Sequence, residues 1–394
     1  MPQNERLDFD FSVRYRFRFR VAENALAPGN PALADAVRET MSQSPARCRF
    51  FVDDGLAQAK PSVIDDVGEY CAAHADCLAA VAEPVVIGGG ECAKNQPRVL
   101  EDAIRAMRDA RLCRQSYVVA IGGGALLDVV GFAAATTHRG LRLIRLPSTT
   151  LAQCDSGVAV KNAVNTFGSK NFCGTFAPPV AVINDPLLLR TLSERDWRGG
   201  FSEIAKIALI RDTELFEQLE RDSAGIVARD LSIANPLIMR SAEAHLRHIV
   251  EGGDPFETGV GRPLDFGHWA AHRIEALSEF GVTHGEAVAM GIAIDVVYSH
   301  GIGALSAAHA ERALELLAGL GFELYHPSME DPDAVLAGLD EFREHLGGPL
   351  TITLLRGIGA GFDAHDIDRA AMSAAIQAVS ARFGAKQRLC GSGK

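Results

Sequence analysis

Tryptophan occurs only twice in 394 residues and tyrosine only five times, so aromatic types make up 7% of the chain. No Cys-x-x-Cys pair occurs among the eight scattered cysteines, which excludes a zinc ribbon and a disulfide framework and fits reduced thiols in a cytoplasmic protein. No uncharged apolar run is long enough to span a bilayer, and the first 21 residues contain no signal-peptide core. Cations are in deficit: 39 Lys and Arg against 50 Asp and Glu give a net charge of −11. That balance argues against a general nucleic-acid or anionic-membrane binder, while leaving room for a local basic pocket. What is present is an ordinary enzyme composition, 47% hydrophobic and 23% charged. The length suggests two domains.

Residues 11–21 alternate apolar side chains with arginines, which predicts an added N-terminal strand with one buried face. The chain then alternates. RFFVDDG (49–55) ends a short apolar run, helical periodicity covers 56–82, and EPVVIGGGE (83–91) reads as a strand ending in glycines. Residues 98–112 read as a helix, 116–140 as strand, glycine turn and helix, and 141–150 and 179–186 as strands. Such alternation implies a parallel sheet covered on both faces. Beyond about residue 190, helices dominate 200–250, 263–320 and 365–383, with one short strand and turn at 349–359. The expected division is an α/β domain over 1–195 and a helical domain over 196–394.

Glycine corners follow the strands. Gly123 and Gly124 open a helix where backbone can approach phosphate, and Asp128 follows one turn on. Gly88–Gly90 with Glu91 and Lys94 make a second corner, and Asp53 and Asp54 end a third strand. Neither a spaced G-x-G-x-x-G nor a Walker loop is present, so each corner alone is a weak signal. Several at strand ends of one sheet are stronger, because open α/β sheets bind ligands there. The 151–174 segment interleaves Asp155, Lys161, Asn162, Asn165, Lys170 and Asn171 with small residues, which fits a solvated loop or, better, a cleft lining for a polyhydroxy anion. In the helical half, Glu203, His284 and one or both of His268 and His272 offer the carboxylate and two imidazoles of a catalytic zinc site. His268 and His272 share a helix face at i, i+4, but Trp269 stands where a metalloprotease motif needs its base.

Read together, GGGE-x-x-K (88–94), GGGALLDVVGFAAATTHRG (122–140), LPSTTLAQCDSGVAVKNAVN (146–165), SKNFCGTFAPP (169–179), RGGFSEIAKIALI (198–210), DFGHWAAH (265–272) and HGEAVAMGI (284–292) resemble the sugar phosphate cyclase superfamily. Its best-known members are the 3-dehydroquinate synthases. The resemblance implies a Rossmann-like NAD-binding α/β domain, a helical domain binding zinc (or cobalt in its place), and a homodimer acting on a small sugar phosphate. It assigns Glu203, His268 and His284 as metal ligands. It assigns Asp53, Glu91, Lys94, Gly123, Gly124, Asp128, Ser148, Thr149, Asp155 and Lys170 to NAD. Lys161, Asn171, Lys206, Asp265 and His272 become substrate or catalytic positions, and Arg139 a phosphate-binding arginine that reaches a neighbouring subunit.

Four features depart from the dehydroquinate synthase pattern. His245 replaces a lysine, Asp265 replaces an asparagine, an arginine is displaced to Arg262, and a C-terminal Asp-Lys-Lys gives way to FREHLGGPLTITLL (342–355). Two carboxylates about 4 Å apart repel by roughly 4 kcal/mol at an effective dielectric near 20, so Asp265 disfavours a substrate carboxylate. VKNAVN, DFGH and FREHLGG look more like the 2-epi-5-epi-valiolone synthases, which use sedoheptulose 7-phosphate. Retention of His272 is a dehydroquinate synthase trait. The expected function is therefore cyclisation of a C7 sugar phosphate with loss of phosphate, sedoheptulose 7-phosphate being preferred over the keto acid phosphate DAHP. A polyol dehydrogenase and a non-catalytic cofactor-binding protein are competing readings of the same residues.

Overall fold

Tyr117–Gly122 buries all six of its residues, as expected of a strand covered on both faces. The structure, a computed structural model, describes residues 7–167, 169–256 and 263–391. In its α/β half the strands are β1 (Phe19–Val21), β2 (Ala46–Asp53), β3 (Leu78–Ala80), β4 (Val85–Ile87), β5 (Tyr117–Gly122), β6 (Arg142–Pro147), β7 (Lys161–Thr166), β8 (Ser169–Phe176) and β9 (Ala181–Asn184). The helices of this half are α1 (Ala32–Arg38), α2 (Asp54–Ala59), α3 (Val63–Ala73), α4 (Cys92–Asn95), α5 (Pro97–Asp109), α6 (Gly124–Thr136) and α7 (Thr150–Cys154).

Seven strands form one sheet in the order β1-β9-β6-β5-β2-β3, with β4 also pairing β2. All of these pairings are parallel, so Asp53, Ile87, Gly122 and Pro147 end at the same sheet edge. Separate apolar cores cover the two faces. One joins Leu33, Val67 and Tyr70 to Phe50 and Val119, and the other joins Met107, Leu126 and Val130 to Phe51 and Val118.

The helical half comprises α8 (Glu194–Arg211), α9 (Thr213–Val227), α10 (Leu231–Glu251), α11 (His268–Leu277), α12 (His284–Gly301), α13 (Ala307–Gly319), α14 (Pro332–Leu346) and α15 (Arg369–Gly391). A hairpin of β10 (Ile352–Gly357) and β11 (Ala360–Ala364) packs among them, so this half is not purely helical. Its core is a single cluster that includes Phe201, Trp269 and Met290. No described helix is long and apolar enough to cross a membrane, and seven described cysteines are free.

Three sequence expectations need correction. The strand expected over 11–21 shrinks to Phe19–Val21; Leu7, Phe9 and Phe11 are 77%, 83% and 89% exposed. Alternation predicts a strand only where another strand accepts its hydrogen bonds, and the described residues supply a partner for the last three alone. The helix expected over 56–82 breaks into α2, α3 and the short β3. The solvated-loop reading of the polar 151–174 segment gives way to the antiparallel β7–β8 hairpin, in which Lys161 pairs with Phe176 and Thr166 with Ser169, while Lys161, Asn162, Lys170 and Asn171 line a cleft as the other reading expected.

Candidate functional site

The α8 helix crosses beneath the cleft between the two halves and buries Glu203 and Lys206 one turn apart. Glu203 is fully buried, and Lys206 forms an ion pair with its Oε2. Its other oxygen, Oε1, has no hydrogen-bond partner among the described residues. An isolated carboxylate oxygen in an apolar interior is costly, so its environment asks for a cation. His268 Nε2 and His284 Nε2 each lie 3.6 Å from that oxygen. Ligands about 2.1 Å from a tetrahedral metal stand roughly 3.4 Å apart, which is close to this spacing.

Both imidazoles are oriented for ligation. The Nδ1 of His268 faces the Phe266 carbonyl oxygen at 3.1 Å, and the Nδ1 of His284 faces Glu275 Oε2 at 3.1 Å. Donating Nδ1–H to those acceptors leaves the Nε2 lone pairs directed at Glu203. Burial, followed by the charges of Lys206 and His284, pushes the His268 pKa well down and keeps the ring neutral, as a ligand must be. Local folding builds this arrangement. Gly267 adopts φ 79°, and a Cβ there would meet the Ile292 backbone nitrogen at 2.7 Å, so glycine alone starts α11 at this angle. Asp295, fully buried on α12, accepts from Gly267 N (3.0 Å) and Trp269 Nε1 (2.9 Å), on either side of His268.

Glu275 escaped the sequence reading. It is buried and receives Lys170 Nζ at 2.6 Å on one oxygen while its other oxygen holds His284. Burial alone would raise its carboxyl, but Lys170 and His284 hold it far below the usual range. The available signal was Glu275 lying one turn after His272 on the same helix. His272, Glu275 and His284 form a second cluster of potential ligand atoms beside the first, but Lys170 already occupies Glu275. Of the two rings on α11, it is His268 whose Nε2 lies beside Glu203 and that shares a cluster with Glu203 and His284.

On the sheet side, Lys94 is buried and pairs with Asp128 Oδ2 at 2.7 Å while also donating to Asn171 Oδ1. Burial would lower its pKa, but Asp128 and Glu91 reverse that and keep it charged. Asn165 donates to Glu91 Oε1 (2.8 Å) and accepts from Asn171 N (2.8 Å), which holds Asn171 at φ 53°. The β7–β8 hairpin is thereby locked onto the glycine corner of α4. Arg145, buried on β6, donates to the carbonyls of Gly157, Ala159 and Lys161 and to Asn162 Oδ1, fixing the strand that carries Lys161.

A cleft of about 460 Å³ joins these parts. Of the residues expected from sequence, Glu91, Lys94, Gly124, Asp128, Asp155, Lys161, Lys170, Asn171, Lys206, Asp265, His268, His272 and His284 line it. Glu203 lies just beneath. Gly123 caps α6, Thr149 caps α7 by accepting from Ala152 N at 3.1 Å, and Ser148 N donates to Gly122 O, all at the carboxyl edge of the sheet. Asp53 caps α2 there by accepting from Leu56 N at 3.1 Å, and burial raises its pKa. The Arg139 side chain is exposed beyond the end of α6, outside the cleft lining of its own chain. Arg262 lies outside the described residues.

The chain matches family models for the N-terminal part of 3-dehydroquinate synthase over residues 84–199 and for its C-terminal part over 200–340. It is 34% identical to a 3-dehydroquinate synthase from Rhodopseudomonas palustris over 79% of this chain and 80% of that protein. It is 33% identical to a 2-epi-5-epi-valiolone synthase from Streptomyces hygroscopicus over 92% of this chain and 86% of that one. The structure of 2-epi-5-epi-valiolone synthase from that organism, with NAD⁺ and Zn²⁺ bound, superposes with a TM-score of 0.86 at 29% identity, covering 95% of this chain and all of the other. The ordered glycine corners, the locked hairpin and the buried carboxylate–imidazole cluster thus sit in a chain that belongs to the 3-dehydroquinate synthase family of sugar phosphate cyclases.

Proposed function

We propose that this enzyme is an NAD⁺- and zinc-dependent sugar phosphate cyclase, a phosphate-eliminating lyase, that converts sedoheptulose 7-phosphate to a carbocycle. The observation that carries the proposal is the orphaned Oε1 of Glu203 with two oriented imidazole nitrogens 3.6 Å away, at the floor of a cleft lined by lysines and asparagines. Glu203, His268 and His284 would hold the metal. The glycine corners, Asp53, Glu91, Lys94, Asp128, Ser148, Thr149, Asp155 and Lys170 would hold the dinucleotide. Support for both cofactors comes from their presence in the valiolone synthase structure. Together they supply Lewis acidity and a reversible hydride acceptor, so that a sugar alcohol is oxidised and later restored.

The chain's own residues then have separable tasks. Lys161 and Lys206 offset charge on the phosphate and on developing oxyanions. Asn171, held by Lys94 and Asn165, orients substrate hydroxyls. His272 lies with its ring centre 5.6 Å from that of His268 and lines the cleft, where it relays a proton. Arg139, exposed in its own chain, would reach a neighbouring copy in a homodimer. The two functional units would divide at about residue 195.

The valiolone synthase relative and the acidic Asp265 in the lining favour the heptulose. The comparable match to dehydroquinate synthases, together with His272, favours DAHP as a second reading. Purified protein with NAD⁺ and Zn²⁺ should release phosphate from sedoheptulose 7-phosphate without accumulating NADH. Phosphate release from DAHP alone would replace the first reading with the second, and net NADH formation would point instead to a polyol dehydrogenase.

A further inference from the structure

Consecutive residues at the start of α12 meet one row of α8. His284 Nε2 lies 3.6 Å from Glu203 Oε1, Gly285 rests on the backbone of Gly199, and Glu286 accepts from Arg195 Nε at 2.8 Å and Nη2 at 2.6 Å. Arg195, Gly199 and Glu203 are spaced i, i+4, i+8, so they share one face of α8. The middle contact leaves no room for a side chain. A Cβ at Gly285 would run into the Gly199 carbonyl oxygen and sit 2.6 Å from its Cα, roughly 1 Å short of ordinary carbon–carbon contact. The reverse does not hold, since a Cβ on Gly199 would meet nothing within 4 Å. Further along α12 is a second crossing. A Cβ at Gly291 would run into the Gly267 carbonyl oxygen and sit 2.9 Å from its carbonyl carbon, beside His268.

We propose that Gly285 and Gly291 are positioning residues of the metal site, which fix the spacing of the Glu203, His268 and His284 donors at a value that suits zinc and rejects a larger divalent ion. This rests on the metal site proposed above and names what sets its size.

Each crossing adjoins a pair of donors. Gly285 follows His284 and touches α8 one turn before Glu203, while Gly291 touches the residue that precedes His268. A helix pushed outward at either point carries an imidazole away from Glu203 Oε1. Packed helices shift as units rather than stretching, and a ligand set tolerates errors of only about 0.5 Å. Alanine at these positions alters no donor atom, so the charge and softness of the site stay as they are. Only distance changes. A widened site should lose zinc and favour cadmium, an ion of equal charge and larger radius.

The test measures Zn²⁺ and Cd²⁺ affinity by chelator competition in the parent, G285A, G291A, G199A and R195A, with NAD⁺ titration by fluorescence as the check on folding. G285A and G291A should each lower zinc affinity about 10-fold or more and move the cadmium-to-zinc ratio about 10-fold towards cadmium. G199A, whose added methyl meets open space, should stay within about 2-fold of the parent, because alanine is otherwise the better helix former. R195A loosens the outer end of the same crossing without adding volume, and it should shift both readouts about 3-fold in the same direction. The proposal is overturned if the alanine variants at 285 and 291 bind NAD⁺ and keep the parent's zinc affinity or metal ratio. Equal loss in G199A overturns it too. If neither of those two variants binds NAD⁺, R195A decides on the same readouts. A parent that binds no zinc removes the metal site and this proposal together, whereas zinc held equally by parent and variants removes this proposal alone.

Discussion

The two ends of the cleft solve the problem of buried charge in opposite ways. At the sheet end, Lys94, Asp128, Glu91, Asn165 and Asn171 satisfy one another, so that the hairpin and the glycine corner form one rigid unit. At the helical end, Glu203 Oε1 and the two Nε2 atoms converge, and among the described residues no hydrogen-bond donor serves that oxygen. A network that is complete needs no ligand to hold its shape, whereas converging acceptors repel until a cation joins them. The sheet end is thus built as a pre-formed surface, and the helical end as a socket.

That contrast can be broken most severely at the socket. Glu203→Gln keeps the volume but removes the charge, and it should abolish metal retention and lower turnover about 1,000-fold, read by metal analysis of dialysed protein and by phosphate release. A comparable energy is involved at Asp295, whose pKa burial pushes up to about 7 against the 3.8 of a free aspartate. The folded state holds a proton that the unfolded chain releases. This contribution is therefore complete below about pH 4, declines as pH rises towards 7, and is spent above it. Asp295→Asn should remove on the order of 4 kcal/mol from the pH dependence between those limits, measured by urea unfolding.

Glu275→Gln tests whether support behind the socket matters. Metal affinity should fall about 10- to 100-fold in a chelator competition, while NAD⁺ binding is kept. The smallest effect belongs to the completed network: Lys94→Met should weaken NAD⁺ by about 10-fold without loss of metal. Equal loss of metal in that variant would erase the distinction between the two ends.

The same division explains what the sequence made legible. The buried parallel strand Tyr117–Gly122 is a continuous apolar run closed by glycine, and Arg142–Pro147 is an apolar run interrupted by Arg145 and closed by proline, so the positions of both were readable. Spacing alone left His268 and His272 equivalent, since both lie on one helix face. Only the turn at Gly267, fixed by Asp295 on another helix, decides which ring meets Glu203. The place of Glu275 one turn after His272 was only a faint signature, because its role depends on Lys170 and His284, which lie 105 and 9 residues away. The β7–β8 hairpin was hidden for a related reason. Its polar Lys161 lines the cleft, Asn162 accepts from the buried Arg145 and Asn165 donates to Glu91, so these residues do not simply alternate with a core.

Diffraction from crystals grown with zinc, recorded on both sides of the zinc absorption edge, tests the central claim most directly. The expected result is one anomalous peak per chain, within bonding distance of Glu203 Oε1, His268 Nε2 and His284 Nε2. A peak elsewhere, or no peak beside those three atoms at full zinc loading, would contradict it.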